Sequence, residues 1–134
     1  MPKQLIPIAG KPVLRHVLEN IRDCGITDIG IALCARDRHI AAAFGDGADL
    51  GVRLTYLRQE QPLGLAHCVA LGREFLGAED VVLYLGDTVL PDGVGTLAAK
   101  FAARRPAAQP AVQTVPDPRR SGVAEPARTA RWCG

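Results

Sequence analysis

An aspartate follows the most apolar segment of the chain and is a candidate metal ligand. Residues 80–85 read DVVLYL, and Gly86 and Asp87 come directly after them. A nearly continuous apolar run of this length is typical of a central strand in a parallel sheet, and such sheets bind ligands outside the carboxyl ends of their strands. Mg²⁺ favours one or two carboxylates together with phosphate oxygens. The alternative is an ordinary aspartate in a strand-end turn or at a helix N-cap.

A second candidate site lies in residues 59–66, which read QEQPLGLA. Gln59 carries both a hydrogen-bond donor and an acceptor, as the recognition of a base edge requires. Gly64 opens a predicted helix, and the first amides of a helix can face an anion or a base. The alternative is an ordinary loop between a strand and a helix, in which Pro62 and Gly64 are normal punctuation. By pattern alone, Lys3 is a solvated charge ahead of an apolar stretch.

Alternating helices and strands must position these residues. The apolar residues between Pro12 and Gly25 recur at helical spacing, and short apolar runs bounded by polar residues indicate buried strands. The predicted helices are 12–25, 36–44, 64–76 and 93–103, and the predicted strands are 28–34, 52–57, 80–85 and 111–115. This order predicts an α/β, Rossmann-like fold of three α/β/α layers around a mostly parallel sheet.

Composition excludes several classes of function. The chain has 134 residues, a net charge of +2 and only 4% aromatic residues, so it lacks the basic and aromatic surface typical of nucleic-acid binding. No apolar run approaches the ~18 residues of a membrane span, and the first residues contain no signal-peptide core. We therefore expect a cytoplasmic protein with neither nucleic-acid nor membrane partners.

Two further patterns are absent from the sequence. The four cysteines, Cys24, Cys34, Cys68 and Cys133, form no C-x-x-C pair, so we expect structural thiols and not a zinc site. No Gly-x-Gly-x-x-Gly stands between a strand and a helix, which argues against a dinucleotide-binding dehydrogenase.

Several stretches resemble, in the same order, segments of glucose-1-phosphate thymidylyltransferases and related sugar-phosphate nucleotidylyltransferases. PKQLIPIAGKPVL at 2–14 is similar to the segment after that family's phosphate loop, and GITDI at 25–29 to the link between its first helix and second strand. Residues 45–66 resemble its base-recognition region. LGD at 85–87 resembles its metal-binding strand end, and PDPRRSGVAE at 116–125 the approach to its sugar-binding half.

The resemblance implies a role for each matching residue. Lys3 would contact the nucleotide phosphates, and Gln59 would bind the pyrimidine of dTTP or UTP beside Gly64. Asp87 would hold Mg²⁺ between the nucleotide and a sugar 1-phosphate, glucose 1-phosphate being the commonest in the family. The reaction would form a nucleotide-sugar and release pyrophosphate. Further substrate-binding residues would be Pro62, Leu85, Gly86 and Gly122.

The sequence also departs from the family pattern. The family opens with a strand and a Gly-rich, arginine-containing phosphate loop, and we expect both to be missing here. A Glu-Lys-Pro segment and a second metal-binding aspartate are also absent, and Ser121 stands where an aromatic residue is usual. We therefore expect a partial nucleotide-binding domain at 1–115, a loosely ordered tail at 116–134, and little activity in this chain alone. The alternative is a non-catalytic remnant or a weak nucleotide-binding module.

The absent opening strand would lie in the middle of the sheet, so its neighbours would keep unpaired backbone groups and uncovered apolar helix faces. We therefore predict marginal stability and association into homo-oligomers. Sedimentation over a range of concentrations, together with thermal unfolding, checks both properties. A monomer at high concentration that unfolds cooperatively contradicts the prediction.

Overall fold

A computed structural model describes residues 1–120, with the side chain of Arg120 excepted. Three short 3₁₀ helices, Lys3–Leu5, Ala48–Leu50 and Pro118–Arg120, accompany the regular elements of this part of the chain. The helices are α1 (Val13–Asp23), α2 (Arg38–Phe44), α3 (Leu65–Leu71), α4 (Arg73–Leu76) and α5 (Gly95–Arg104); the strands are β1 (Pro7–Ile8), β2 (Lys11–Pro12), β3 (Asp28–Cys34) and β4 (Arg53–Gln59).

Strands β3 and β4 form the parallel sheet that the sequence predicted. Their register runs from Asp28 opposite Arg53 to Cys34 opposite Gln59, and α2 lies in the crossover that parallel strands require. Side chains of a strand alternate between its two faces. Ile29 and its neighbour Leu54 therefore pack on the core of α1, while the opposite face meets α3 and α4. The fold is α/β and Rossmann-like, with helices on both faces of the sheet.

The apolar stripe of α1 forms the centre of the core. Leu18 is only 1% exposed, and complete burial of a leucine side chain stabilises the fold by about 1.5–3 kcal/mol. The predicted helix 12–25 is confirmed, with Pro12 just before its first residue. The core cluster consists of Leu14, Val17, Leu18, Ile21, Ile29, Ile40, Leu50, Val52 and Leu54.

On the other face, a glycine allows a helix to lie close to the sheet. A Cβ atom on Gly30 would lie 2.9 Å from Cε1 of Phe75, so only a glycine leaves room for this ring over β3. The single helix predicted at 64–76 is interrupted, because Gly72 separates α3 from α4. Gly72 itself packs against Leu57 of β4.

Two of the predicted strands do not form. Residues 80–85 form no strand and make no backbone ladder with any described residue, and Leu83 is 57% exposed. The physical reason is distance. Paired strands lie about 4.8 Å apart, whereas a cavity of about 540 Å³ separates this segment from β3. The prediction at 111–115 is also wrong, since these residues are exposed and Val112 is 51% accessible.

Contacts with α1 hold residues 84–90 away from the sheet, on the far side of the cavity. Nδ2 of Asn20 donates to the carbonyl of Leu90 at 3.0 Å and to the hydroxyl of Tyr84 at 3.4 Å. The same hydroxyl accepts a hydrogen bond from the amide of Leu90 at 3.1 Å. Residues 80–90 are therefore attached to the helix layer and not to the sheet.

The remaining predicted helices form with shifted ends. The helix predicted at 36–44 begins at Arg38, and the helix predicted at 93–103 is α5. No helix among residues 1–120 is long and apolar enough to cross a membrane. Most of the predicted tail, 121–134, lies outside the described residues, so the boundary at 115 stays a prediction.

Paired leucine substitutions test where the core lies. We expect Leu18→Ala to lower the free energy of unfolding by about 2–5 kcal/mol, because it leaves a cavity in the packed centre. Leu83→Ala, the same change on an exposed leucine, should cost less than about 0.5 kcal/mol. Urea unfolding followed by circular dichroism measures both, and equal losses would contradict this core.

Candidate functional site

The side chain of Gln59 is buried at the end of β4 and is held at both ends of its amide. It is 6% exposed. Its Nε2 donates to Nδ1 of His67 at 2.8 Å, a direction that requires the ring proton of His67 to be on Nε2. Its Oε1 accepts from the thiols of Cys34 and Cys68 at 3.9 and 3.7 Å. The parallel register, which places Cys34 opposite Gln59, brings these groups together.

These hydrogen bonds bear on the predicted role of Gln59 in recognising a base. The amide that was expected to face a ligand is already bonded within the protein. Thiols are weak donors, so Oε1 is held far less firmly than Nε2. A small cavity of about 350 Å³ lies beside His67. Its lining residues are Arg58, Glu60, Gln61, Leu63, His67 and Leu71.

Gly64 forms the turn between β4 and α3. Its φ of +98° lies in a region that side chains rarely adopt, so this position requires glycine. Pro62, two residues earlier, is exposed and belongs to the same loop. The turn places His67 on the first turn of α3, within reach of Gln59.

A second group of predicted residues lies on the other side of the large cavity. A Cβ atom on Gly86 would lie 3.5 Å from Cγ of Gln4 and 3.4 Å from Cδ1 of Leu14. The 3₁₀ helix that begins at Lys3 therefore packs over Gly86, and both Lys3 and the neighbouring Asp87 are exposed there. The structure therefore brings the chain segment that carries Lys3 next to the segment that carries Asp87.

The two groups lie at the same edge of the sheet. The end of α1 connects directly to the start of β3, so the first turn of α1, with Leu14, lies at the carboxyl edge of the strands. Gly86 contacts Leu14, which places Asp87 at that edge as well. Gln59 ends β4 at the same edge, but β3 and the cavity separate it from Asp87.

The donor set at Asp87 suits only a metal that takes most of its ligands from elsewhere. Within residues 1–120, no group of three or more His, Cys, Asp or Glu side chains could hold a metal ion. Mg²⁺ keeps several waters and is commonly held by one or two carboxylates plus substrate phosphates. A single exposed carboxylate fits Mg²⁺ carried by a nucleotide and does not fit a closed protein cage.

The structure also gives the positions of the remaining predicted residues that it describes. Leu85 borders the large cavity and is 46% exposed. Gly122 lies outside the described residues. Cys24, Cys34 and Cys68 are free thiols of intermediate burial, and Cys133 also lies outside the described residues. His67 was missed by the sequence reasoning, although its place one turn into a helix opened by Gly64 was a usable signal.

Charges at the opposite edge of the sheet are arranged for stability. A bidentate hydrogen bond from Arg53 lowers the pKa of Asp28, and both groups are exposed where β3 and β4 begin. Burial, with a contribution from Asp46, raises the pKa of Tyr56, whose hydroxyl donates to the carbonyl of Gly45 at 2.7 Å. The Asp28–Arg53 pair joins the starts of β3 and β4, and Tyr56 joins the middle of β4 to the end of α2.

The chain is an α/β domain with polar and charged residues at the carboxyl edge of its parallel sheet, where such sheets bind their ligands. The model of the nucleotidyl transferase family matches residues 1–131, and the chain belongs to this family.

Known proteins similar to the chain agree with this membership. It is 47% identical over 123 residues to a glucose-1-phosphate thymidylyltransferase of Streptomyces griseus, and 43% identical over 125 residues to a low-salt glycan biosynthesis nucleotidyltransferase of Haloferax volcanii. Each match covers 92% of this chain but only 35% of the relative. The chain thus spans about a third of the length of these relatives.

A solved structure shows the same fold. The chain matches a Bacillus anthracis protein, assigned as a glucose-1-phosphate thymidylyltransferase and crystallised with a sucrose, at a TM-score of 0.72 and 28% identity. The match covers 77% of this chain and 42% of that protein.

The buried amide can be tested with a matched pair of substitutions. Gln59→Leu should lower the free energy of unfolding by about 1–3 kcal/mol, because Nδ1 of His67 and the two thiols lose their partner. Gln61→Leu, on an exposed neighbour, should change it by less than about 0.5 kcal/mol. Denaturant unfolding gives both changes in free energy from the shift of the midpoint, provided that the denaturant dependence of the free energy is unchanged. Equal midpoints would show that the hydrogen bonds of Gln59 contribute nothing.

Proposed function

We propose that this chain is the nucleotide-handling part of a sugar-1-phosphate nucleotidylyltransferase. The reaction joins dTTP or UTP to glucose 1-phosphate and releases pyrophosphate. The observation that supports the proposal is the close approach of Gln4 to Gly86, because these two residues are the chain neighbours of Lys3 and Asp87. The nucleotidyltransferases among the relatives support the same chemistry.

The proposed reaction needs no covalent intermediate on the protein. A phosphate oxygen of the sugar 1-phosphate attacks the α-phosphorus of the triphosphate, and the bond to the β-phosphate breaks. Both substrates are anionic, so catalysis depends on alignment and on neutralising the charge of the phosphates. Lys3 would contact the nucleotide phosphates, and Asp87 would hold Mg²⁺. The metal, when bound, supplies positive charge between the two substrates.

Recognition of the base would fall to the end of β4. We propose that Oε1 of Gln59 exchanges its two weak thiol contacts for a hydrogen bond to the pyrimidine, while His67 keeps the amide in its orientation. The backbone of Gly64 would allow the base to approach closely. Either thymine or uracil presents the donor and acceptor that an amide needs.

A second candidate function is a non-catalytic nucleotide-binding module. The donor set favours it, since within residues 1–120 no group of three or more His, Cys, Asp or Glu side chains could hold a metal ion. One missing electrostatic group can reduce a catalytic rate by about 10²–10³. We therefore expect this chain alone to bind nucleotide and to turn over slowly or not at all.

Binding and turnover of the purified chain separate the two functions. With Mg²⁺ and dTTP, calorimetry should detect binding that Asp87→Asn weakens by about tenfold, roughly 1.4 kcal/mol. Asp49→Asn, an exposed aspartate before β4 and so at the opposite edge, should bind like the unchanged chain. A pyrophosphate-release assay with added glucose 1-phosphate measures turnover.

The outcomes are distinct. Turnover that disappears in Asp87→Asn would show that these residues suffice for catalysis. Binding without turnover supports the binding module. If folded protein binds no nucleotide, or if both variants bind equally, the proposed site is wrong.

A further inference from the structure

Two thiols converge on one atom of the buried amide of Gln59. The thiol of Cys34 donates to Oε1 of Gln59 at 3.9 Å, and the thiol of Cys68 donates to the same oxygen at 3.7 Å. The two sulfur atoms therefore lie no farther apart than the sum of these distances. Cys34 ends β3 and Cys68 lies in α3, so the tertiary structure, and not the sequence, makes them neighbours.

The two thiols meet on one face of the sheet. Side chains of a strand alternate between its two faces, so Cys34 is on the face where Gly30 packs against α4. The parallel register places Gln59 beside Cys34. The amide of Cys68 donates to the carbonyl of Gly64 at 3.3 Å. The turn at Gly64 therefore brings the thiol of α3 to the end of the two strands.

Neither thiol takes part in the proposed nucleotidyl transfer. Both are free and partly exposed, and within residues 1–120 no group of three or more His, Cys, Asp or Glu side chains could hold a metal ion. A partly exposed thiol is open to small oxidants, and a second thiol beside it can trap the oxidised sulfur as a disulfide. The pair therefore fits oxidation chemistry better than metal binding.

Cys24 offers a contrast in the same chain. Its thiol donates to the carbonyl of Ile21 at 3.0 Å, directly after α1 and before the start of β3. Cys34 lies at the other end of β3, a strand of seven residues at about 3.3 Å per residue. A disulfide requires Cα atoms within about 7 Å of each other, so Cys24 cannot pair with Cys34 in the native fold.

We propose that Cys34 and Cys68 form an oxidation site, at which hydrogen peroxide joins their sulfur atoms in a disulfide. In the first step one thiol takes an oxygen atom from the peroxide, the O–O bond breaks, and a sulfenic acid and one water form. The other thiol then attacks the sulfenic sulfur, the S–S bond forms, and a second water leaves. Two thiols and one peroxide give one disulfide and two waters, so no other oxidant is needed.

The disulfide changes the hydrogen bonding of Gln59. It carries no S–H group, so Oε1 loses both thiol donors, while Nε2 keeps its bond to His67. The new bond also ties the end of β3 to α3, and a cross-link of this kind stabilises a fold by restricting the unfolded chain. Because thiols are weak donors, the cross-link outweighs their loss. The oxidised chain should therefore be the more stable form.

Peptide mapping of the peroxide-treated chain identifies the disulfide. Cleavage before aspartates places the four cysteines on separate peptides, which are residues 23–27, 28–36, 49–79 and 117–134. Mass spectrometry without reduction should show 28–36 joined to 49–79, with the loss of two hydrogen atoms. Dithiothreitol should separate the two peptides again. Sedimentation of the same samples should show that the oxidised and reduced chains have the same mass, because the bond forms within one chain.

Serine substitutions test which thiols respond. Cys34→Ser and Cys68→Ser each remove one member of the pair but keep a hydroxyl donor, and Cys24→Ser is the matched control. Peroxide should raise the urea midpoint of the unchanged chain and of Cys24→Ser, and should not raise that of the other two variants. Circular dichroism verifies that each variant folds. The peptide map of the unchanged chain decides the pairing whether or not a variant folds.

The side-chain amide of Gln59 provides a local readout. Its NMR signals should shift on oxidation of the unchanged chain, because Oε1 loses two donors. They should shift equally in Cys24→Ser and stay in place when Cys34→Ser is treated with peroxide. A thiol oxidised elsewhere in the chain would not produce this pattern.

Several results would overturn the proposal. They are the absence of a link between 28–36 and 49–79, a link that involves Cys24 or Cys133 instead, a disulfide between two chains, and a midpoint that does not rise on oxidation. An equal response of Cys24→Ser and Cys34→Ser also overturns it. Nucleotide and sugar phosphate are absent from all samples, so the outcome is independent of the proposed transferase function.

Discussion

The packing of α1 on the two-stranded sheet is the interaction on which the rest of the structure depends. Its apolar stripe buries Leu18 and its neighbours against β3 and β4. The same helix holds residues 84–90 through Asn20, and its first turn sets the position of Gly86. Because one helix contacts both the sheet and the segment that ends in Asp87, it determines the distance between them.

That distance separates the candidate site into two parts. Gln59, Gly64 and His67 form one part at the end of β4, and Lys3, Gly86 and Asp87 form the other across the large cavity. A base and a phosphate chain are large enough to engage different parts of one edge, so the separation agrees with an extended ligand such as a nucleotide.

The large cavity leaves apolar side chains of residues 81–85 without a packing partner. Residues 81–85 are the most apolar segment of the chain, yet their valines and leucines remain exposed beside the unpaired edge of β3. Each of these half-exposed side chains forgoes part of the ~1.5–3 kcal/mol that complete burial would contribute.

By itself, the sequence determined the elements whose signals are local. Helical spacing located α1, Gly64 marked the start of α3, and short apolar runs located β3 and β4 with the correct parallel arrangement. It did not determine whether 80–85 would pair, since an apolar run shows that a strand is favourable but not that a neighbour lies within about 4.8 Å. Only the tertiary structure decided that, because α1 sets the distance. It likewise decided that Gln59 is bonded to His67 and two thiols, contacts between residues that the register and the turn at Gly64 bring together.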